Sequence, residues 1–329
     1  MAMAIRETYN AGAAGDNIIR EDLSDFVYNI SPTETPVLQA AEWTTASSTI
    51  HDWVEDTLSA PAANAKPEGA ALGTPANVSG GARLSNYTQI SDKTYGVSGT
   101  VEVVTKVGRD SEIAFGRAKS MRELKTDIDF EICTGGAKVA GSSGTARESA
   151  GLASWVRNAS RGGGTGADPT AFDGTVTDTD GTGRAFTETI LNETIEECWN
   201  EGGRPSLLVM GGKGRKEFRT FDGVGNTAAN NTTRTDRADG TVYGSVDLYI
   251  SSFGIELRAV NSRHLRKVGA DPKDAWLIDP EHIKVPFLRP FQIIEFAKTG
   301  DSIEERVLAE WTLEVCNTYA HGLCADIDG

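Results

Sequence analysis

"GRDSEIAFGRAKSMRELKTDIDFEICTGG", Gly108 to Gly136, reads as one uninterrupted helix. Asp110 or Ser111 supplies an N-cap oxygen for the first free amides, and Glu112 puts negative charge in the first turn, where the helix dipole favours it. Ala114, Ala118, Met121, Lys125, Ile128 and Ile132 fall on one face, flanked by Ile113, Leu124 and Phe130. Lys119, Arg122, Glu123, Asp127 and Glu131 charge the opposite face, and Gly135 and Gly136 end the helix. About 24 residues at 1.5 Å each make a rod of about 36 Å. Lys125 breaks the stripe, which is too short for a coiled coil, so one-sided packing on a sheet is expected.

The chain before this helix looks unable to bury itself. Residues 1–18 carry almost no apolar periodicity and read as an extended arm. "REDLSDFVYNI" (Arg20–Ile30) is a short helix with Leu23, Phe26, Val27 and Ile30 on one stripe, ended by Pro32 and Pro36. "STIHDWVEDTL" (Ser48–Leu58) reads as a strand with neither face purely apolar. Residues 60–82 hold no aromatic side chain and are dominated by Ala, Gly and Pro, too little apolar surface to offset the entropy of ordering them. "RLSNYTQISDKTYGVSGTVEVV" (Arg83–Val104) returns as strand. Strand, tip and strand make a long two-stranded hairpin, which is marginal alone in water and must lie on something. The chain's own sheet is one candidate and another subunit is the other.

After the helix, Gly141 to Gly183 is polar and holds ten glycines, with only Leu152, Trp155, Val156, Phe172 and Val176 to anchor it. Acids in it such as Asp178 and Asp180 are expected in solvent. An α/β lobe follows. "TETILNETIEECWNEGGRP" (Thr187–Pro205) is an amphipathic helix with Ile190, Leu191, Ile195, Cys198 and Trp199 inward and Gly202 as its stop. "SLLVM" (Ser206–Met210) is a buried strand, and "KGRKEFRTF" (Lys213–Phe221) a short basic helix. "TVYGSVDLYIS" (Thr241–Ser251) alternates with Val242, Val246, Leu248 and Ile250 on one face. Strands at Gly254–Val260, Ala275–Pro280 and Phe287–Phe296 come next. "ERVLAEWTLEVCN" (Glu305–Asn317) has the clearest period-two pattern, through Val307, Ala309, Trp311, Leu313 and Val315. The last residues are polar and acidic and read as a fraying tail.

Composition narrows the function. The net charge of −15, from 47 acidic and 32 basic residues, argues against nucleic-acid binding as the main task, since phosphate contacts need clustered Lys and Arg. No apolar run approaches a membrane span, and the N-terminus has neither a basic n-region nor an apolar h-region, so a cytosol-like compartment without membrane attachment is expected. Cys133, Cys198, Cys316 and Cys324 form no CxxC and are expected reduced. His321 and Cys324 beside Asp326 form only a fragment of a metal set, so no metal or cofactor is assigned. "LLVMGGKGRKEF" resembles a phosphate cradle but puts Lys216 where a Walker loop, counted from Gly211, needs glycine. "GVGNTA" (Gly223–Ala228) matches a dinucleotide fingerprint by letters only. His51, His264, His282 and His321 are scattered, and no nucleophile elbow occurs. No catalytic residue is assigned.

"DLSDFVYNISPTETPVL" (Asp22–Leu38), "NYTQISDKTYGVSGT" (Asn86–Thr100), "GRDSEIAFGRAKSMRELKTDIDFEI" (Gly108–Ile132) and "GLASWV" (Gly151–Val156) together carry a family resemblance. The chain resembles the tailed-phage major capsid proteins with the HK97-type fold, in the branch of short, non-enzymatic head proteins typified by that of phage SU10. The resemblance implies an α+β fold with an N-terminal arm (1–35) and a P-domain (36–44 and 103–149) carrying the spine helix. It further implies an E-loop (45–102), an A-domain (150–275) and closing A- and P-domain strands (276–329). It implies self-assembly into hexamers and pentamers of an icosahedral or prolate shell around double-stranded DNA, held without sequence-specific binding, in a virion assembled in the host cytoplasm. In that fold arm and E-loop lie across neighbours and A-domains meet around the symmetry axes. Candidate intersubunit residues are Trp53, Lys66, Tyr87 and Tyr95 on and below the hairpin, and Arg109, Glu112, Arg117 and Arg122 on the helix and its approach. No long N-terminal scaffolding segment is expected, so a scaffolding protein would be separate, like any portal or decoration protein. Lys66 has no matched cross-linking partner. Two alternatives are an encapsulin-like protein compartment and, from another class, a phosphate-ligand enzyme built on Gly211–Lys216.

Overall fold

The structure is a computed structural model that describes residues 34–328 except 72, 74–79, 105–109, 165, 219, 222–247, 266, 269–270 and 299. The expected arm up to residue 33, the helix at Arg20–Ile30, Gly223–Ala228 and the first half of Thr241–Ser251 lie outside the described residues.

In chain order the first elements are α1 (Pro36–Ala40), β1 (Glu42–Thr45), β2 (Ile50–Glu55), β3 (Ala82–Tyr87), β4 (Gln89–Ser98), α2 (Gly99–Val103) and α3 (Glu112–Thr134). A 3-10 turn at Leu152–Ser154, β5 (Asn158–Ser160), α4 (Glu188–Asn200), β6 (Leu207–Met210) and α5 (Gly212–Phe218) follow. Next come β7 (Leu248–Ile250), β8 (Glu256–Asn261), β9 (Lys267–Val268), β10 (Asp271–Pro272) and β11 (Ala275–Ile278). The last are β12 (Ile283–Glu295), β13 (Ser302–Trp311), β14 (Glu314–Val315) and β15 (Gly322–Cys324).

The long helix forms as expected and is α3. Ser111 is its N-cap, with the hydroxyl accepting the Ala114 amide at 3.1 Å. The buried stripe differs from the expected one: Leu124, Ile128 and Ile132 carry it with Ser120, Asp129 and Cys133, while Ala114 and Ala118 are exposed. Only the second half of the rod is sunk in the core. Lys125 does not spoil the face, because its ammonium stands 5.9 Å from the Trp43 ring and 5.7 Å from that of Phe291. Gly135 ends the helix at φ −57°, a conformation open to any residue. Glycine is needed there for contact, since a Cβ on Gly135 would lie 2.4 Å from the Glu131 carbonyl oxygen and 3.1 Å from the Gly151 nitrogen.

Two main sheets organise the chain. In the first the order is β1-β12-β13-β4, with β14 also paired to β12, and α3 packs on β4 and β13. In the second the order is β5-β15-β11-β6-β8-β7, backed by α4. β2 and β3 form a separate antiparallel ribbon, Ile50 opposite Tyr87 through Glu55 opposite Ala82. The expected hairpin is therefore shorter than its sequence suggested. From Gln89 the chain leaves the ribbon, because ten successive residues find partners along β13, from Gln89 opposite Trp311 to Ser98 opposite Ser302. The stretch after it is the short helix α2, capped by the Ser98 hydroxyl.

Four other expectations are corrected. Trp199 is half exposed and stacks on Phe253 at 5.6 Å, while Leu191, Thr194, Ile195 and Cys198 face inward. Leu248 and Ile250 share an outward face, because Tyr249 takes the inward position and donates its hydroxyl to Glu188 at 2.9 Å. Asp178 is buried in an ion pair with Arg161 at 2.5 Å, so this polar loop is held by charge instead of by solvent. The C-terminal stretch does not fray: β15 lies between β5 and β11, and the Asp326 carboxylate accepts the amides of Gly162 at 2.9 Å and Gly181 at 2.8 Å.

Candidate intersubunit surface

The ribbon of β2 and β3 is fixed at its base by Trp53 and His51 and by polar side chains the sequence had not singled out. Asn86 is fully buried; its amide nitrogen donates to the Leu313 carbonyl at 2.8 Å and to Ser149 Oγ at 3.0 Å. Its oxygen accepts the Ala150 amide at 3.0 Å. His51 Nε2 lies 2.8 Å from Glu314 Oε2, and that hydrogen bond holds the Glu314 carboxyl below its ordinary range. Glu55 Oε1 accepts both the amide and the hydroxyl of Thr318 at 2.8 Å. Lys138 reaches across from below, donating to the carbonyls of Ser85 at 2.6 Å and Asp173 at 2.7 Å. Trp53 completes the base, its ring 5.1 Å from Trp155 in the core.

Beyond this base nothing holds the ribbon's tip among the described residues. From Asp56 onward every described tip residue up to Gly80 is exposed, and Leu58 is 99% exposed. Val54 on β2 is also outward, so an apolar edge continues from ribbon to tip. A second exposed set lies at the far end of the first sheet, with Val101 and Val103 on α2, Phe115 on α3, and Ile293, Ile294 and Phe296 at the end of β12.

Between the two sets, buried acids lock β4 to the body. Glu305 on β13 takes Arg117 Nη2 at 2.6 Å and Nε at 3.1 Å, and accepts the Tyr95 hydroxyl. The Arg117 guanidinium holds the Glu305 carboxyl below the usual range, and burial raises the Tyr95 phenol. Gly116 lets the helix close on this group, since a Cβ there would lie 2.8 Å from the Tyr95 ring. Glu310 takes Arg147 at 2.6 Å, Arg289 at 2.7 Å and the Thr88 hydroxyl at 2.9 Å. A buried carboxylate with two charged partners is held firmly, and removing one of them leaves its charge only partly compensated.

The candidate residues separate accordingly. Lys66 and Arg122 are exposed, and Tyr87 is half-buried beside His51 and Arg83. Trp53 packs on Trp155, and the half-buried Tyr95 and the exposed Arg117 both bond to Glu305 of their own chain. Glu112 donates its backbone amide to Glu102 Oε2 at 2.9 Å, joining α2 to α3. Arg109 lies outside the described residues. At Gly211–Lys216 the Lys213 ammonium lies 2.9 Å from Asp328, and the glycines begin the seven-residue α5. His321, Cys324 and Asp326 bond in three directions, and among the described residues no three His, Cys, Asp or Glu converge as a metal site. No helix there is long and apolar enough to cross a membrane.

The fold is shared with solved shell proteins. The capsid of a native GTA particle matches with a TM-score of 0.61 at 10% identity, over 98% of this chain and all of that one. Mycobacterium phage Che8 matches at 0.57 and 13% identity, over 94% of this chain and 98% of that one. A holo-SrpI encapsulin complex from Synechococcus elongatus PCC 7942 matches at 0.53 and 11% identity, over 94% and 92%. No curated protein sequence matches. At such identities these likenesses establish the HK97-type capsid fold, in its α+β form. The family model of the SU10 major capsid protein matches residues 6–328, and the chain belongs to that family.

Proposed function

We propose that this major capsid protein assembles as hexamers and pentamers of an icosahedral or prolate shell around double-stranded DNA, acts through contact alone and catalyses nothing. The observation that carries the reading is the ribbon, rigidly based on its own chain and bare at its tip. The described residues of such a tip bury nothing in the subunit, so its use must lie in a neighbour. On this reading β2, β3, the tip and β4 belong to the E-loop (45–102), and α1, the start of β1 and α3 to the P-domain (36–44 and 103–149). The second sheet forms the A-domain (150–275), and the closing strands (276–329) serve both sheets. Lys66, Tyr87 and Arg122 would face neighbouring copies, and Arg109 and Glu112 would meet them near the start of α3. The net charge of −15 suits a wall that does not hold its DNA tightly. Scaffolding, portal and decoration proteins would be separate chains, and assembly would take place in the host cytoplasm.

Deleting Pro61–Gly81 tests this. The expected product is a subunit with unchanged circular dichroism that no longer closes shells in electron micrographs. Normal, stable shells from the deletion would remove the reading of the tip as an intersubunit clasp. Nuclease-protected DNA inside purified particles is expected, and protein cargo in its place would favour the encapsulin-like alternative.

A further inference from the structure

Asp129 is fully buried on α3, facing α1. Its Oδ1 accepts the Leu38 amide at 2.8 Å, and the nearby Val37 amide also favours its ionised form. Thr35, at the position that normally caps α1, accepts none of the helix's backbone amides with its hydroxyl, which takes the Gln39 side chain at 3.1 Å instead. Asp129 therefore does, from 91 residues away, what a cap residue does locally. Its other oxygen, Oδ2, is buried with no partner among the described residues. A carboxylate in that position pays for a buried charge with only part of its hydrogen-bonding capacity used.

The surroundings offer little relief. α1 brings no titratable group, as its residues are Pro, Val, Leu, Gln and Ala. One turn back on α3, Lys125 points to Trp43 and Phe291. One turn on, the Cys133 thiol is pushed well up by burial, with Asp129 and Asp274 adding to it. Glu131 is also raised by burial. Burial lifts the Asp129 carboxyl to about 6, and the two α1 amides only partly oppose it.

We propose that Asp129 is a proton-operated catch on the root of the N-terminal segment. Protonated, it holds α1 on α3 without a buried charge; ionised, it leaves a charge and a bare oxygen beneath α1 and holds it less firmly. Because the folded group binds its proton more tightly than an unfolded aspartate, its stabilisation is complete below the ordinary carboxylate range. It is lost as pH rises through about 6. Acid closes the catch. It belongs to the single subunit and is independent of how subunits assemble.

Amide hydrogen exchange of the full chain, followed on a peptide spanning Val37–Ala41 from pH 4.5 to 8 and corrected for intrinsic rates, tests it. Protection should fall at least about tenfold, and on the order of a hundredfold at most, as pH rises towards about 6, and should level off above it. Asp129→Asn should flatten that profile, while Glu131→Gln should leave the step in place. A flat wild-type profile, a step near pH 4, loss of the step in Glu131→Gln, or its persistence in Asp129→Asn would overturn the proposal. Should Asp129→Asn not fold, the wild-type profile together with the Glu131→Gln profile decides.

Discussion

The two ends of the ribbon obey opposite rules. At its base, within six residue pairs, the chain spends Trp53, Asn86, His51 and Glu55 on partners from two other segments, Ser149 to Trp155 and Leu313 to Thr318. At its tip, the described residues from Asp56 to Gly80 are all exposed, including a leucine with essentially its whole surface in water. A soluble monomer gains nothing from so rigid a mount under so bare a loop. A subunit that must present the loop at a fixed angle to its neighbour gains from both, because a preorganised contact loses less entropy on binding. The difference separates folding from assembly within one hairpin, and substitutions at the two ends should separate them too.

The largest effect is expected at the base. Trp53→Ala empties the space against Trp155 and should cost the isolated subunit about 3–5 kcal/mol, read by chemical denaturation. A loss below about 1 kcal/mol would mean that the ribbon is not part of the core. Acid should act on the platform beneath. His321 is fully buried, its Nδ1 accepting the Asp279 amide at 3.2 Å, and burial depresses its pKa to about 4. A depressed group stabilises the fold above its ordinary value and loses that contribution as pH falls, here between about 6.5 and about 4. Up to about 3 kcal/mol should go over that window, and the Glu314 carboxyl, lowered by His51, adds in the same direction. Melting temperatures measured from pH 7.5 to 4.5 check this, and His321→Gln should shallow the decline. Acid thus weakens the ribbon's platform while tightening the α1 catch.

Asn86→Ala comes next. It strands the Leu313 carbonyl and the Ala150 amide in a buried site, at a cost of about 2 kcal/mol. The same change should loosen the ribbon against the body, and faster proteolysis between Asp56 and Gly80 would report it. Unchanged cleavage would show that Trp53 alone sets the mount.

The long helix α3 and most strands were legible because their apolar periods are local. Leu124, Ile128 and Ile132 bury themselves wherever a sheet is offered, and Val307, Ala309 and Trp311 alternate in a way only a strand satisfies. The limits of burial were not legible. Ala114 and Ala118 match the helix stripe but end exposed, since exposure depends on how far β4 and β13 reach beneath the rod. Asn86 looked like one polar strand residue among others, and Asp178 like a loop acid, because their partners Leu313 and Arg161 are set by tertiary approach. The tail at Gly322–Cys324 carried no pattern long enough to mark a three-residue strand paired on both sides within a sheet. Of the candidate contact residues, Tyr95 and Arg117 looked free because their shared partner, Glu305, lies 188 residues beyond Arg117.

The smallest effect on stability is expected at the tip, and there it is most informative. Leu58 is 99% exposed, so Leu58→Ser removes no buried surface from the subunit and should change its stability by less than about 0.5 kcal/mol. If the tip is covered by a neighbour, the same substitution takes an apolar side chain out of an interface, where a leucine's burial is worth about 1.5–3 kcal/mol per copy. Repeated over every subunit, that loss should raise the protein concentration needed for shell formation severalfold, measured by light scattering and confirmed by micrographs. An unchanged threshold for Leu58→Ser, together with normal assembly of a Val54→Ser companion, would leave the apolar edge of ribbon and tip without a use in the shell. A raised threshold with unchanged denaturation would place the contact energy at the end of the hairpin that the fold itself leaves uncovered.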